Sequence, residues 1–292
     1  MQRGASGMRM RWLRAAAALI AMALAIVGPY QPDATAQPSG RTYLVKLATD
    51  LPDGDLDDGV CSTVDHTLSS DVPDPETCTL RAAIQNANLD STKDTVKFAF
   101  STLTTIKLKS YLPVLQSPVE IDGWTQSPGE SRIPEPAVRV DGVGLPRLSC
   151  GRIQMGSNAV AHGRAFVVLG ARSLIRGLNI SGFPCDDIVV WNAPDTVISA
   201  NFIGTNPEGS KVDSFEVSDA KHGVYVHGSP RAVIGGEMSM DGNVVTTLKG
   251  GVAIFAVNGS NLVSIRNNKI GVSVNGDKVL GPTTDLRPAS GI

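Results

Sequence analysis

Two segments of this chain carry the same text. Asn201-Phe202-Ile203-Gly204, continuing to Gly209 and Lys211, recurs as Asn268-Lys269-Ile270-Gly271, continuing to Gly276 and Lys278. Asn, Ile, Gly, Gly and Lys match at one constant offset of 67 residues. Self-similarity in a single register marks a chain that stacks one unit on another, because no single unit can bury its apolar face alone. It also moves the search for function to the flanks and loops of the stack.

The N-terminal segment has a different grammar. Arg3, Arg9, Arg11 and Arg14 form a basic region, and Ala15 to Val27 is an unbroken apolar run. Ala34-Thr35-Ala36 supplies small residues for cleavage. This pattern predicts a secretory signal over 1–36, with an apolar run too short for a comfortable membrane span. The segment holds four Arg and one Asp, so 26 basic and 28 acidic residues become 22 and 27 after its removal, near −5. That charge argues against a nucleic-acid or anionic-membrane partner, which would call for a basic face. No later segment is long and apolar enough to span a membrane. The expected location is secreted or at the cell surface.

All four cysteines (Cys61, Cys78, Cys150, Cys185) lie in the exported part. An even count in an oxidising compartment predicts disulfides. Three pairings exist, and proximity in the chain favours Cys61–Cys78 with Cys150–Cys185. The first loop would contribute roughly 3 kcal/mol in the chain-entropy model. No Cys-x-x-Cys is present for zinc.

Beyond the signal, Tyr43 to Ala48 alternates apolar and polar residues and predicts a strand. Thr79 to Asn88 is the one convincing helix, with Leu80, Ala83, Ile84 and Ala87 at helical spacing and Thr77 or Thr79 as its cap. From Thr95 onward, short β-branched runs alternate with Gly, Asn, Asp, Ser and Pro. These predict strands, among them one continuous run from Leu174 to Ile180. A sandwich of hairpins would not explain identical loop text at a fixed offset. A parallel β-helix would. Ile175 and Ile198 are 23 apart, as are Ile180 and Ile203, which gives one turn of such a helix; the 67-residue offset then reads as about three turns. Asn ladders at the turns would satisfy backbone groups that short loops leave unpaired.

Asp57-Asp58-Gly59-Val60-Cys61, followed by Cys78-Thr79-Leu80-Arg81-Ala82-Ala83-Ile84, resembles the CSLREA-motif family of bacterial secreted and surface proteins. Thr79 stands where that motif has Ser, and Ala82 where it has Glu. Ile121-Asp122-Gly123-Trp124-Thr125-Gln126-Ser127-Pro128-Gly129, Ile203-Gly204-Thr205-Asn206 and Ile234-Gly235-Gly236 look like further segments of the same family. The resemblance covers roughly residues 43 to 292. It implies an all-β, right-handed parallel β-helix of the pectate-lyase-like superfold, with a short N-terminal capping helix. The expected organisation is a signal at 1–36, a cap segment at 37–94 and the β-helix at 95–292. The superfold hosts lyases, hydrolases and passive adhesins, so activity must be argued from a site.

Several residues are candidates for that site. Asp53, Asp55 and Asp57 alternate like calcium ligands, although Gly59 is one place late and Val64 stands where a bidentate carboxylate belongs. Asp186-Asp187, His222 and Arg266 are ordered loosely like polygalacturonase elements, and hydrolysis would need paired carboxylates around a bond. A lyase would need clustered carboxylates for calcium, such as Asp187, Asp195 and Asp213, with Arg176 or Arg231 as the base. Trp124 and Trp191 could stack on a sugar. His222 and His227 are at odd spacing on one strand and should face opposite ways, which argues against a joint metal site. Asn179-Ile180-Ser181 and Asn258-Gly259-Ser260 match glycosylation sequons by coincidence.

Lys278 is followed by Gly291-Ile292 much as Lys211 is followed by Gly223-Val224, so the chain is expected to break off as the next strand begins. The expected function is non-catalytic binding of polysaccharide or another surface. The alternatives are a polysaccharide lyase or hydrolase on acidic polysaccharide, and a structural stalk of a longer surface protein.

Overall fold

A computed structural model describes residues 39–64, 74–126, 135–146, 150, 160–213, 221–247 and 251–280. The expected signal segment and the last residues, Gly291 and Ile292 included, lie outside these. Residues from Ser39 onward form one compact unit.

Strands are the dominant regular element among the described residues. β1 (Thr42–Val45) precedes α1 (Leu80–Ala87), the one α-helix among the described residues. β2 (Asp94–Phe98), β3 (Thr104–Lys107), β4 (Val119–Asp122) and β5 (Val138–Asp141) follow. The chain then settles into a three-strand cycle: β6 (Phe166–Val168), β7 (Leu174–Arg176) and β8 (Leu178–Ser181), then β9 (Ile188–Trp191), β10 (Val197–Ser199) and β11 (Phe202–Ile203). Two more rounds are β12 (His222–His227), β13 (Val233–Gly235) and β14 (Val244–Val245), then β15 (Val252–Val257), β16 (Ser264–Arg266) and β17 (Lys269–Ile270). The expected run from Leu174 to Ile180 is broken in two by Gly177. It sits at φ +69°, and a Cβ there would meet the Trp124 backbone nitrogen at 2.8 Å.

Three sheets result, with strand orders β1-β2-β4-β7-β10-β13-β16, β3-β5-β8-β11-β14-β17 and β6-β9-β12-β15. The strands pair parallel throughout. Parallel register places like residues on like. Tyr43, Val96, Ile121, Ile175, Ile198, Ile234 and Ile265 occupy one position across the seven-stranded sheet. Ile175, Ile198 and Ile234 are fully buried. β-branched side chains suit such a column because their χ1 is already restricted, and each buried Ile contributes roughly 1.5–3 kcal/mol.

The 23-residue step holds, since Ile175 pairs with Ile198 and Ile180 with Ile203. The three-turn reading of the 67-residue offset does not. From Asn201 to Asn268 the six-stranded sheet advances by only two steps, of 42 and 25 residues. The longer step contains the chain between Thr205 and Lys221, an excursion that periodicity alone could not reveal.

The repeated text folds twice into the same loop. Thr205 bridges Val212 antiparallel, and Val272 bridges Val279. Asn206 N–H donates to the Lys211 carbonyl, and Ser273 N–H to that of Lys278. The asparagines that open each copy form a ladder with Asn243. Asn243 Oδ1 accepts from Asn201 N, and Asn268 Oδ1 accepts from Asn243 N.

Helix α1 begins where expected. Thr79 Oγ1 accepts from Ala82 N–H, satisfying one of the donors that a helix start leaves open, and Asn88 closes the other end. The helix packs against β1 and β2. Both favoured disulfides, Cys61–Cys78 and Cys150–Cys185, are formed. No helix among the described residues is long and apolar enough to cross a membrane.

Candidate functional site

The four-stranded sheet positions the most distinctive group of side chains. One set of its residues points into the core: Ile188, Val190, Val224, Val226 and Ile254 are fully buried. The alternate set lies on the other face. Val167, Val189, Tyr225 and Phe255 share one register position there, and Trp191 pairs with His227. Val167 and Val189 are covered, in part by Val114 and Ala161, while Trp191, Tyr225 and His227 stay partly open and Phe255 is exposed.

The rings form a connected set. Trp191 stacks on His227 with centroids 3.7 Å apart and planes within 4°. Tyr225 lies 5.8 Å from Phe255 and 6.3 Å from Trp191. His222 stacks on both Phe255 (5.0 Å) and Tyr225 (5.2 Å). Parallel pairing holds adjacent strands at a fixed spacing, so rings on neighbouring strands stack on one another along the sheet.

His222 and His227 therefore do not face apart. Both rings reach Tyr225. His222 is the first residue of its strand, and Asp186 draws its ring over: Nδ1 lies 2.7 Å from Asp186 Oδ1. No group of three metal-capable side chains occurs among the described residues.

Asp186 and Asp187 lie at the edge where β9 begins, beside Lys221 and His222 at the edge of β12 and Arg164 ahead of β6. Asp186 accepts from His222 N–H at 3.0 Å and from Arg164 Nε at 3.1 Å. Burial would raise the Asp186 carboxyl, but the His222 hydrogen bond and the Arg164 and His222 charges outweigh it and hold the carboxyl low. Asp187 is fully buried, 3.1 Å from Lys221 Nζ. Burial pushes its carboxyl up to about 7, against the pull of Lys221. The two carboxylates thus have separate environments, one held by His222 and Arg164 and one enclosed with Lys221. They do not flank an open cleft as a hydrolase pair must.

The remaining candidates are dispersed. Arg266 is on β16 in the seven-stranded sheet, 3.6 Å from Glu237. Asp195 forms an exposed bidentate pair with Arg231 at 2.7 Å. Asp213 pairs with Arg139 at 2.7 Å, and Arg176 with Asp122 at 2.5 Å. The lyase set is therefore split, each carboxylate with its own cation.

Trp124 stands apart from Trp191, beside Gly177 at the junction of the other two sheets. The Arg176 guanidinium lies 5.4 Å from its ring centroid. It borders a cavity of about 250 Å³ with Phe202, Met240 and Val274.

In the acidic loop, Asp53 Oδ1 accepts from Asp55 N–H, while Oδ2 accepts from Ser62 N–H and Asn86 Nδ2. Asp55 Oδ1 accepts from Asp57 N–H. Burial raises the Asp53 carboxyl despite these bonds. The carboxylates of Asp53 and Asp55 accept from backbone N–H groups of their own loop, and Asp53 fastens that loop to α1 through Asn86. Asn179, in the first sequon, is wholly buried and donates to the Thr205 carbonyl, as a structural residue would.

Tyr225, Phe255, Arg164 and Lys221 are site residues that sequence reading passed over. The 36-residue step from Val189 to Tyr225 and the 30-residue step to Phe255 hide their alignment. Comparison with protein-family models and with curated proteins finds no match.

Proposed function

We propose that this is a secreted or cell-surface module of the CSLREA-motif type, built as a right-handed parallel β-helix with α1 as its cap, that binds polysaccharide without cleaving it. The observation that carries the reading is the platform of Trp191, His227, Tyr225, Phe255 and His222 on one sheet face. Aromatic side chains gathered on a partly open protein surface supply apolar contact area with polar tips, which suits the mixed apolar and hydroxyl surface of a sugar chain. The cycle through three parallel sheets and the aligned isoleucine column support the β-helix, and two disulfides support export to an oxidising compartment.

The test is binding of the mature chain to a panel of immobilised polysaccharides, with and without calcium, alongside assays for reducing ends and unsaturated products. Retention by at least one polysaccharide, without new products, is expected. Product release would replace this reading with a lyase or hydrolase.

A further inference from the structure

We infer that Lys221 and Asp187 react with each other once the chain has folded, joining Lys221 Nζ to Asp187 Cγ in an amide that ties the start of β12 to the start of β9. In the structure the two groups are unjoined, with Nζ 3.1 Å from Oδ1. The inference does not depend on polysaccharide binding.

Both partners are held in place. Asp187 N–H donates to the His222 carbonyl at 3.0 Å, and the Asp187 carbonyl accepts from Ala165 N–H at 3.0 Å and Phe166 N–H at 3.1 Å. The Lys221 carbonyl accepts from Val252 N–H at 3.0 Å. Its Nζ donates to the Phe183 carbonyl at 2.9 Å. An amine and a carboxyl fixed against each other no longer meet by chance, which removes much of the barrier that separates them in water.

The enclosure suits the reaction. The Lys221 side chain is 3% exposed and that of Asp187 is fully buried. Phe166, Phe183 and Ile188 beside them are wholly buried too. Such surroundings penalise charge, and burial pushes the Asp187 carboxyl up to about 7. Asp50 shows the contrast. Its oxygens accept from Arg81 and from the Lys109 and Ser110 N–H groups, as a buried ion requires. Among the described residues, no backbone N–H donates to either Asp187 side-chain oxygen. Arg81 also cannot release a proton to become a nucleophile, whereas a lysine can.

The step balances without a co-reactant. One proton passes from the Lys221 ammonium to the Asp187 carboxylate, leaving a neutral amine and a neutral acid. Nζ attacks Cγ, and the C–N bond forms. The C–OH bond breaks, and the hydroxyl leaves as water with a second proton from the nitrogen. The amide nitrogen keeps one hydrogen for the Phe183 carbonyl, and two buried charges disappear.

The experiment reads the intact mass of the mature chain just after refolding and again after prolonged incubation at neutral pH. Asp187 titrates only while unlinked, so its pH dependence belongs to the freshly refolded chain. The expected result is a wild type lighter by one water molecule, whose digest yields a branched peptide joining Asp187 to Lys221. Asp187→Ala and Lys221→Arg should keep the full mass. A wild type that keeps its full mass throughout overturns the inference. So does a lost water with residues 187 and 221 recovered in separate linear peptides, which would place the dehydration elsewhere, as at Asp241-Gly242. The wild-type digest decides alone, so a variant that fails to fold leaves the test intact.

Discussion

Asn243 gives its side-chain oxygen to Asn201 twice, accepting from the Asn201 backbone nitrogen at 2.9 Å and from its Nδ2 at 3.1 Å. Its own Nδ2 donates to the Ile198 carbonyl at 2.8 Å. Asn201 is fully buried, so these groups have no route to water. Asn243→Ala strands them, and each orphaned buried group costs about 1–3 kcal/mol. A loss of roughly 3–5 kcal/mol is expected from urea denaturation. A loss below about 1 kcal/mol would show that water replaces the ladder.

Arg81 and Asp50 tie the helix to the sheets. Arg81 Nε and Nη2 donate to the two Asp50 oxygens at 2.8 and 2.9 Å, and its guanidinium also donates to the Tyr111 and Ser110 carbonyls. Removing one partner leaves an uncompensated charge. Arg81→Met should therefore cost about 3–5 kcal/mol, and adding Asp50→Asn to it should recover part of that loss. Additive losses in the double variant would contradict this coupling.

Asp187 makes stability depend on pH in an unusual direction. Its carboxyl rises from 3.8 to about 7 on folding, so the folded chain keeps a proton that the unfolded chain releases between those values. Its contribution is complete below about pH 4 and is lost as pH rises through about 7, a decline of a few kcal/mol. Melting temperatures across that range should fall with pH in the wild type by more than in Asp187→Asn. Equal slopes would assign the decline to other groups.

The Cys150–Cys185 bridge closes a segment of 35 residues that ends beside Asp186. Replacing both cysteines by Ser should cost about 4 kcal/mol through the greater freedom of the unfolded chain. The shift in urea midpoint measures it, and an unchanged midpoint would mean that the native contacts around Asp186 suffice alone.

The fold was legible in the sequence where local chemistry decides. The Thr79 hydroxyl caps the start of α1 and the helix ends at Asn88, and both disulfides link cysteines that the chain already holds near each other. The β-branched runs marked most strands. The two-residue strands Phe202–Ile203, Val244–Val245 and Lys269–Ile270 were too short to leave a pattern. The site was less legible. Asp186 and His222 were candidates and do meet, whereas Arg266 and Asp195 lie elsewhere with partners of their own.

By itself the sequence determined that one loop is built twice, that its asparagines open each copy, and that strands alternate with turns. These follow from residue type and spacing, which act over a few residues. Only the tertiary structure decided that the copies stand two steps apart, because an excursion after Thr205 lengthens one of them. It alone brought Trp191, Tyr225 and Phe255 onto one face. The physical reason is parallel pairing, which aligns residues by register across strands whatever the length of chain between them.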